Sequence, residues 1–328
     1  MTPMRWPLIK YLPDKTNLAF VRPSRIFGVL SALAIAASLF FSIWPAKPPC
    51  GGLNCGVDFK GGTVLEMRMP SAIDHEAVRS LLTDRGLGDV QVQQIDSDRA
   101  ALVRFETPPG TNPVQAVDGV KRSLQTAFQG ATFERTEVVG PKISGELFQK
   151  GLWALLGAIG LMLVYIWFRF GLTFGIGAVA ALFHDVILTF GLFAVTKLEF
   201  TLVGVAAILT IIGYSMNDTV VVLDRIRENL RKYKKMPLGE LIDLSINETL
   251  SRTIITGITG LMALTGLAIL GGEALRPFSI AMIFGIIVGT YSSIFVAAPV
   301  LLFLGVRREG EAEAIDLTKG TSVRPQKP

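Results

Sequence analysis

Apolar positions along this chain fall into runs too long for a soluble core. Residues 26–46, 151–168, 253–272 and 277–306 contain no charge; Asp218 is the only charge in 200–223, and 170–196 holds Asp185 beside His184. Each run reaches the roughly 20 residues needed to cross a hydrocarbon core. The pattern predicts six transmembrane helices, over 26–46, 151–168, 172–196, 200–223, 253–272 and 279–305. About a hundred residues, 47–150, separate the first from the second, and the other five follow closely. The chain is therefore expected to be a tail (1–25), one helix, a water-soluble domain (47–150), a five-helix block (151–306) and a second tail (307–328).

The intervening domain is patterned differently. Residues 63–69 alternate as a strand does, with Thr63, Leu65, Met67 and Met69 on one face. Ser71-Ala-Ile-Asp74 has capping-box spacing and predicts a helix carrying Val78, Leu81 and Leu82, ended by Gly86. Strands follow at 90–95 and 100–105, joined at 96–99. Pro113 starts a second helix with Val114, Val117, Val120, Leu124 and Phe128 on one stripe, ended by Gly130, and 132–139 is the last strand. The order βαββαβ predicts a small ferredoxin-like α+β domain, a fold that by itself implies no activity.

Composition agrees with a membrane protein. Of 328 residues 50% are hydrophobic and 18% charged, against about a quarter charged in soluble domains; mean hydropathy is +0.47. Two cysteines and two histidines exclude a multi-cysteine metal or haem framework, and no metal site is expected. The net charge of +5 does not signal nucleic acid, because the basic residues sit at membrane flanks. Arg5, Lys10, Lys15, Arg22 and Arg25 precede the first run, and seven basic residues from Arg225 to Arg252 follow the fourth; the loops predicted to lie opposite carry one each, Lys197 and Arg276. Basic loops stay cytoplasmic, so both termini are expected inside and 47–150 outside. The first run is expected to be a retained anchor, since Ala32-Leu33-Ala34, which resembles a signal-cleavage triplet, lies within an apolar stretch continuing to Trp44. Cys50 and Cys55 would then face an oxidising compartment, where a local disulfide and two independent thiols are both open.

Asp218 is the most informative residue. A carboxylate at that depth costs a few kcal/mol unless it faces a wet cavity, finds a partner or takes up a proton. Tyr214 and Ser215, one turn away, are expected to hydrogen-bond it, with Asn217 beside it. Arg252 opens the next antiparallel helix at similar depth and is its natural partner, a snorkelling flank arginine being the plainer alternative. For Asp218 itself the plainer alternative is solvation near the interface. Asp185 and His184 form a second intramembrane ionisable site. Consecutive residues point about 100° apart on a helix, so these two are not expected to share a partner. Gly171/Gly175 and Gly285/Gly289 are small-xxx-small spacings that predict close helix packing. Gly175-x-Gly177-x-x-Ala180 lacks a preceding strand and is no dinucleotide site; no Gly-Lys pair or His-Glu-x-x-His exists, so neither a P-loop nor that zinc motif is present. Asp58, Gly61 and Gly62 predict a tight turn with Asp58 bonding nearby amides.

Together, Gly56-Val-Asp-Phe-Lys-Gly-Gly62, Val139-Gly140-Pro141-Lys-Ile-Ser-Gly-Glu-Leu147, Phe183-His-Asp-Val186, the stretch 213–229 and 245–253 resemble the SecD/SecF family of the resistance–nodulation–division superfamily, on its SecF side. Leu223 stands where the family usually has phenylalanine, and Glu248 where it often has glutamine. The resemblance implies a multi-pass subunit of the bacterial inner membrane, without enzymatic activity or cofactor, drawing on the proton gradient. It implies a SecD partner and action late in export, on unfolded polypeptide crossing the SecYEG channel behind the SecA motor. The family's membrane carboxylate and arginine fall on Asp218 and Arg252. A small-molecule or lipid exporter of the same superfamily, or a purely structural membrane subunit, would be the alternatives.

Overall fold

The computed structural model describes residues 16–46, 50–87, 90–95, 97–105 and 113–306. Arg5, Lys10, Lys15, position 96 of the expected turn and the tail 307–328 lie outside the described residues.

Among the described residues five helices are long and apolar enough to cross a membrane. Helix α1 (Ser24–Ile43) comes first, then α5 (Pro141–Thr196), α6 (Leu202–Lys232), α7 (Leu238–Leu270) and α8 (Gly272–Ser292). A π-turn at Ser293–Ala297 joins α8 to α9 (Ala298–Leu304). The cause is Pro299 in the first turn of α9, which has no N–H to return to the preceding turn. Helix α5 has 56 residues, far beyond one crossing, and breaks at Gly171, where φ is 69° and ψ −174°. Only glycine adopts that conformation without strain. A methyl group there would meet nothing within 4 Å, so Gly171 serves the break and not the close packing expected of it. Gly289 does pack closely: a methyl on it would lie 2.9 Å from Ser215 Cβ, which brings α8 against α6.

The polar residues 238–252 extend α7 by fifteen residues beyond the expected apolar start. Leu241, Ile242, Ser245, Ile246, Thr249, Leu250 and Thr253 recur at helical spacing and are buried. This extension packs on the end of α6. Glu248 Oε2 accepts from Arg225 Nε at 2.7 Å and Asn229 Nδ2 at 2.8 Å. The segment before α1 docks on the same extension: Asp243 Oδ1 accepts from the amides of Phe20 and Val21 at 2.8 Å, and Asn247 Nδ2 donates to the Leu18 carbonyl at 2.8 Å.

Between α1 and α5 lie β1 (Asn54–Cys55), α2 (Val57–Lys60), β2 (Gly62–Arg68), α3 (His75–Thr83), β3 (Gln91–Ile95), β4 (Ser97–Phe105), α4 (Pro113–Ala127) and β5 (Thr132–Val139). Four of these strands form an antiparallel sheet in the order β3-β4-β2-β5. Leu65, Met67, Val103 and Phe105 pack with Val78 and Leu82 of α3 and Val120 and Leu124 of α4. The alternation in β2 describes only this face, because Val64 on the other is covered by Val57, Ala100 and Leu102. Helix α3 begins after Asp74, whose side chain accepts from the amides of Glu76 and Ala77. The cap is therefore Asp74 and not Ser71, and the helix starts later than the capping-box spacing implied. Val114, placed on the buried stripe of α4 by its spacing, is 64% exposed in the helix's first turn.

Candidate functional site

Asp218 sits on α6 and is 3% exposed, and among the described residues its Oδ2 has no hydrogen-bond partner. The helix reaches it through an apolar buried face, with Ile208, Ile211 and Ile212 before it and Val222 and Leu223 after. Neither expected hydrogen bond to it forms. Tyr214 donates instead to the Thr256 carbonyl on α7 at 2.9 Å, and Ser215 donates to Asp185. Both side chains leave α6 toward neighbouring helices and so cannot turn back to Asp218. Asn217 is exposed, on one stripe of α6 with Ala206, Thr210 and Gly213. Arg252 is also exposed; it is not in an ion pair with Asp218, yet it is the charged group whose field acts on that carboxylate. Thr253 beside it is buried, with Oγ1 unpartnered among the described residues.

His184 and Asp185, on the second half of α5, are each 1% exposed and bond one another, Nδ1 to Oδ1 at 2.8 Å. Rotation of the side chains overcomes the 100° between their Cα–Cβ directions and lets them bond one another, a contact the expectation did not include, while their further partners differ. Asp185 Oδ2 also accepts from Ser215 of α6 and, at 2.8 Å, from Ser292 of α8. The His184 ring stacks on Tyr291, with centroids 5.8 Å apart. Tyr291 in turn donates to the Phe27 carbonyl on α1 and bonds Ser31, both at 2.8 Å. One polar network thus ties four helices together at the centre of the bundle. Ser292 and Tyr291 carry no charge and stand in an uncharged run; the sequence signal available for them was their polarity alone.

A second constellation lies at the other end of α6. Asp58 does not bond the amides of its own turn. Its Oδ2 accepts from the backbone N–H of Leu202 at 2.9 Å, 144 residues away. Leu202 is the first residue of α6, and Thr201 caps the next free amide, that of Val203, at 3.2 Å. Around this bond, β1 pairs in parallel with β6 (Glu199–Phe200), and the Gly56 amide donates to the Phe200 carbonyl at 3.0 Å. Gly61, at φ 76°, turns the chain away into β2. Phe59 packs on Phe148 and Phe200. Arg104 of β4 pairs with Glu199 at 2.5 Å. Burial pushes the Glu199 carboxyl above its ordinary range, against the opposing pull of Arg104. Cys50 and Cys55 are disulfide-bonded beside this clamp, with Cα atoms 6.3 Å apart. Gly140 precedes α5 in an extended conformation, and Pro141 takes a first-turn position where no N–H is required. Among the described residues no group of three or more His, Cys, Asp or Glu could hold a metal ion.

A helical membrane block with a mixed α/β domain between its first two helices, and an unpartnered carboxylate oxygen inside the bundle, defines a polytopic membrane transport subunit. The chain belongs to the SecD/SecF family. Residues 119–307 match the family model for the C-terminal part of the SecD/SecF protein export membrane proteins, and residues 52–69 match the SecD/SecF GG motif. The chain is 42% identical over 310 residues to protein translocase subunit SecF of Cereibacter sphaeroides, covering 92% of this chain and 94% of that one. It is 44% identical over 301 residues to the SecF subunit of Rickettsia akari, covering 92% and 96%. Its fold is similar to the crystal structure of SecDF, a translocon-associated membrane protein from Thermus thermophilus, with TM-score 0.80 and 34% identity over 90% of this chain. A second SecDF structure, in a super-membrane-facing form, matches with TM-score 0.63 over 97% of this chain. The chain spans 40% and 42% of the length of those two SecDF chains.

Proposed function

We propose that this chain is the SecF-like half of a proton-driven export motor whose other half is SecD. As a SecD/SecF-type subunit of the inner membrane it assists protein translocation, and the finer reading concerns how. The observation that carries it is Asp218: a carboxyl buried in the bundle, with an oxygen that no group among the described residues satisfies and with Arg252 acting on it from the next helix. Such a group takes up a proton or finds a cation. Protonation neutralises Asp218 and releases Arg252; loss of the proton draws the guanidinium in and repacks α6 against α7. The exposed Asn217 and Arg252 support a site completed by SecD. The clamp of Asp58 on Leu202 would pass a shift of α6 to the outer domain, which acts on polypeptide leaving SecYEG after SecA has pushed it. Each charge moved across the membrane supplies about 2.3 kcal/mol per 100 mV.

The break at Gly171 supports two crossings by α5 and hence six in all, with tails 1–25 and 307–328 cytoplasmic and domain 47–150 outside. The order βαββαβ with sheet order β3-β4-β2-β5 supports a ferredoxin-like domain. The test is Asp218→Asn in inverted membrane vesicles, with late-stage export measured with and without an imposed proton gradient. Stimulation by the gradient is expected to vanish while the complex still assembles. Retained stimulation would make the chain a structural subunit.

A further inference from the structure

His184 is buried at the centre of the bundle, and only one of its two ring nitrogens is used. Nδ1 bonds Asp185 Oδ1 at 2.8 Å, while Nε2 has no hydrogen-bond partner among the described residues. Asp185 Oδ2 accepts from the hydroxyls of Ser215 and Ser292. That is the pattern of an ionised carboxylate, which has no proton to give. Nδ1 is therefore the donor in the bond to Asp185, and a neutral ring leaves Nε2 as a bare lone pair. A histidine that served packing alone would use both nitrogens, because buried polar groups are bonded as a rule. The neighbouring hydroxyl does not serve it either: Tyr291, on which the ring stacks, donates to the Phe27 carbonyl of α1.

The charges around the ring sharpen the point. The titratable groups that face it are Asp185 on its own helix and Tyr291 on α8. Helix α6 presents Ser215, with Asp218 one turn beyond, and α1 presents Ser31 through Tyr291. Among the described residues no Lys, Arg or Glu side chain bonds any member of this network. The Asp185 carboxylate thus has neutral donors only, and a proton on Nε2 would supply the opposite charge that a buried carboxylate otherwise lacks. The same shortage of partners recurs along α6 and α7, at Asp218 Oδ2, Thr219 Oγ1 and Thr253 Oγ1. We infer that His184 Nε2 is a second proton-binding atom of the bundle, beside Asp218. The incoming proton bonds the Nε2 lone pair, the Nδ1 hydrogen stays on Asp185, and the pair passes from one net negative charge to none. The inference rests on the proton-driven reading and deepens it, giving the bundle two binding atoms in place of one.

The chain has two histidines, His75 and His184, so His75→Gln leaves a single ring to observe. That variant of the full chain, isotope-labelled at the histidine nitrogens, is placed in nanodiscs with unlabelled SecD. Its ring-nitrogen NMR signals are followed from about pH 8 to about pH 5, the window in which histidine changes charge. Nδ1 should carry hydrogen throughout, and Nε2 should pass from a bare to a protonated nitrogen in one step. An Nε2 that stays bare at every pH, or that carries hydrogen at every pH, overturns the inference. Use of the site is read in inverted vesicles. His184→Asn sets a non-titrating amide near the place of Nδ1, so it keeps a donor for Asp185 and should lose gradient-dependent export. Full stimulation in that variant also overturns the inference; where the variant fails to assemble with SecD, the nitrogen signals decide alone. Asp218→Asn keeps the two readings apart. Stimulation that survives in it removes the motor, whereas the Nε2 step is read in a chain whose Asp218 is intact.

Discussion

Removing the Asp58 carboxylate should loosen the first turn of α6 without disturbing the outer domain's own core. Asp58 Oδ2 satisfies the Leu202 amide at 2.9 Å, and neither residue belongs to the domain's main apolar cluster. Losing an N-cap acceptor costs about 1 kcal/mol. Losing a negative charge at a helix N-terminus costs a further 0.3–1 kcal/mol or so. The sum for Asp58→Ala is therefore about 1.5–2 kcal/mol, a ten- to thirty-fold rise in local opening at roughly 1.4 kcal/mol per decade. Asp58→Asn keeps an acceptor and should rise only two- to five-fold. Hydrogen–deuterium exchange of the full chain in nanodiscs reads this directly, on peptides containing the amides of Leu202 and Val203. The domain peptides of β2 and β4 serve as internal controls. Unchanged exchange at Leu202 in Asp58→Ala, or equal effects of Ala and Asn, would refute the clamp. If the clamp couples the domain to Asp218, about 24 Å further along α6 at 1.5 Å per residue, Asp58→Ala should also reduce gradient-dependent export while leaving expression unchanged.

Further outcomes follow from other features. Ser215→Ala and Ser292→Ala each remove one donor to Asp185 Oδ2 and should destabilise the bundle by about 1–3 kcal/mol. The double variant should deviate from their sum in thermal unfolding, because both serve the same oxygen. Because the folded state holds the Glu199 carboxyl above its ordinary value of 4.5, that state retains a proton the unfolded chain gives up. The residue's contribution to stability therefore rises as pH falls from neutral toward 4.5. Protease resistance of the clamp should follow that trend, and Glu199→Gln should flatten it. A cysteine at Lys235 should be shielded from an impermeant thiol reagent in intact cells and one at Glu76 should react; the reverse pattern would overturn the proposed orientation. Non-reduced peptides should carry the Cys50–Cys55 bond, and two free thiols would exclude it.

The membrane helices were legible because hydrophobic length is a local property of the chain. So was the order of strands and helices in the outer domain, which alternation and turn residues display one segment at a time. Pairing across distance was not. Asp58 reads as a turn residue until Leu202 is brought to it, and nothing near residue 58 announces a partner 144 positions away. Tyr214 and Ser215 were assigned to Asp218 on helical spacing alone, whereas the neighbours Asp185 and Thr256 on other helices decide where they point. The extension of α7 had a signal that a hydropathy reading passes over. Leu241, Ser245, Thr249 and Thr253 repeat every four residues, but three of those four are polar. Asp218 itself was found by its cost in an apolar run, a test that needs no knowledge of its surroundings.

The anchoring of Leu18, Phe20 and Val21 to Asp243 and Asn247 joins positions 222 to 229 residues apart. At a synthesis rate of roughly 5–20 residues per second, the chain needs about 10–45 s to make the second set after the first has emerged. For that interval the segment before α1 lacks its docking site, and Asp58 waits a shorter time, over 144 residues, for the amide of Leu202. The ties therefore become available in order: Asp58 can meet Leu202 before α7 is made, and the anchoring of residues 18–21 waits for Asp243 and Asn247. A ribosome stalled before residue 243 would leave α1 already seated on α5, with the amides of Phe20 and Val21 still lacking their acceptor on α7.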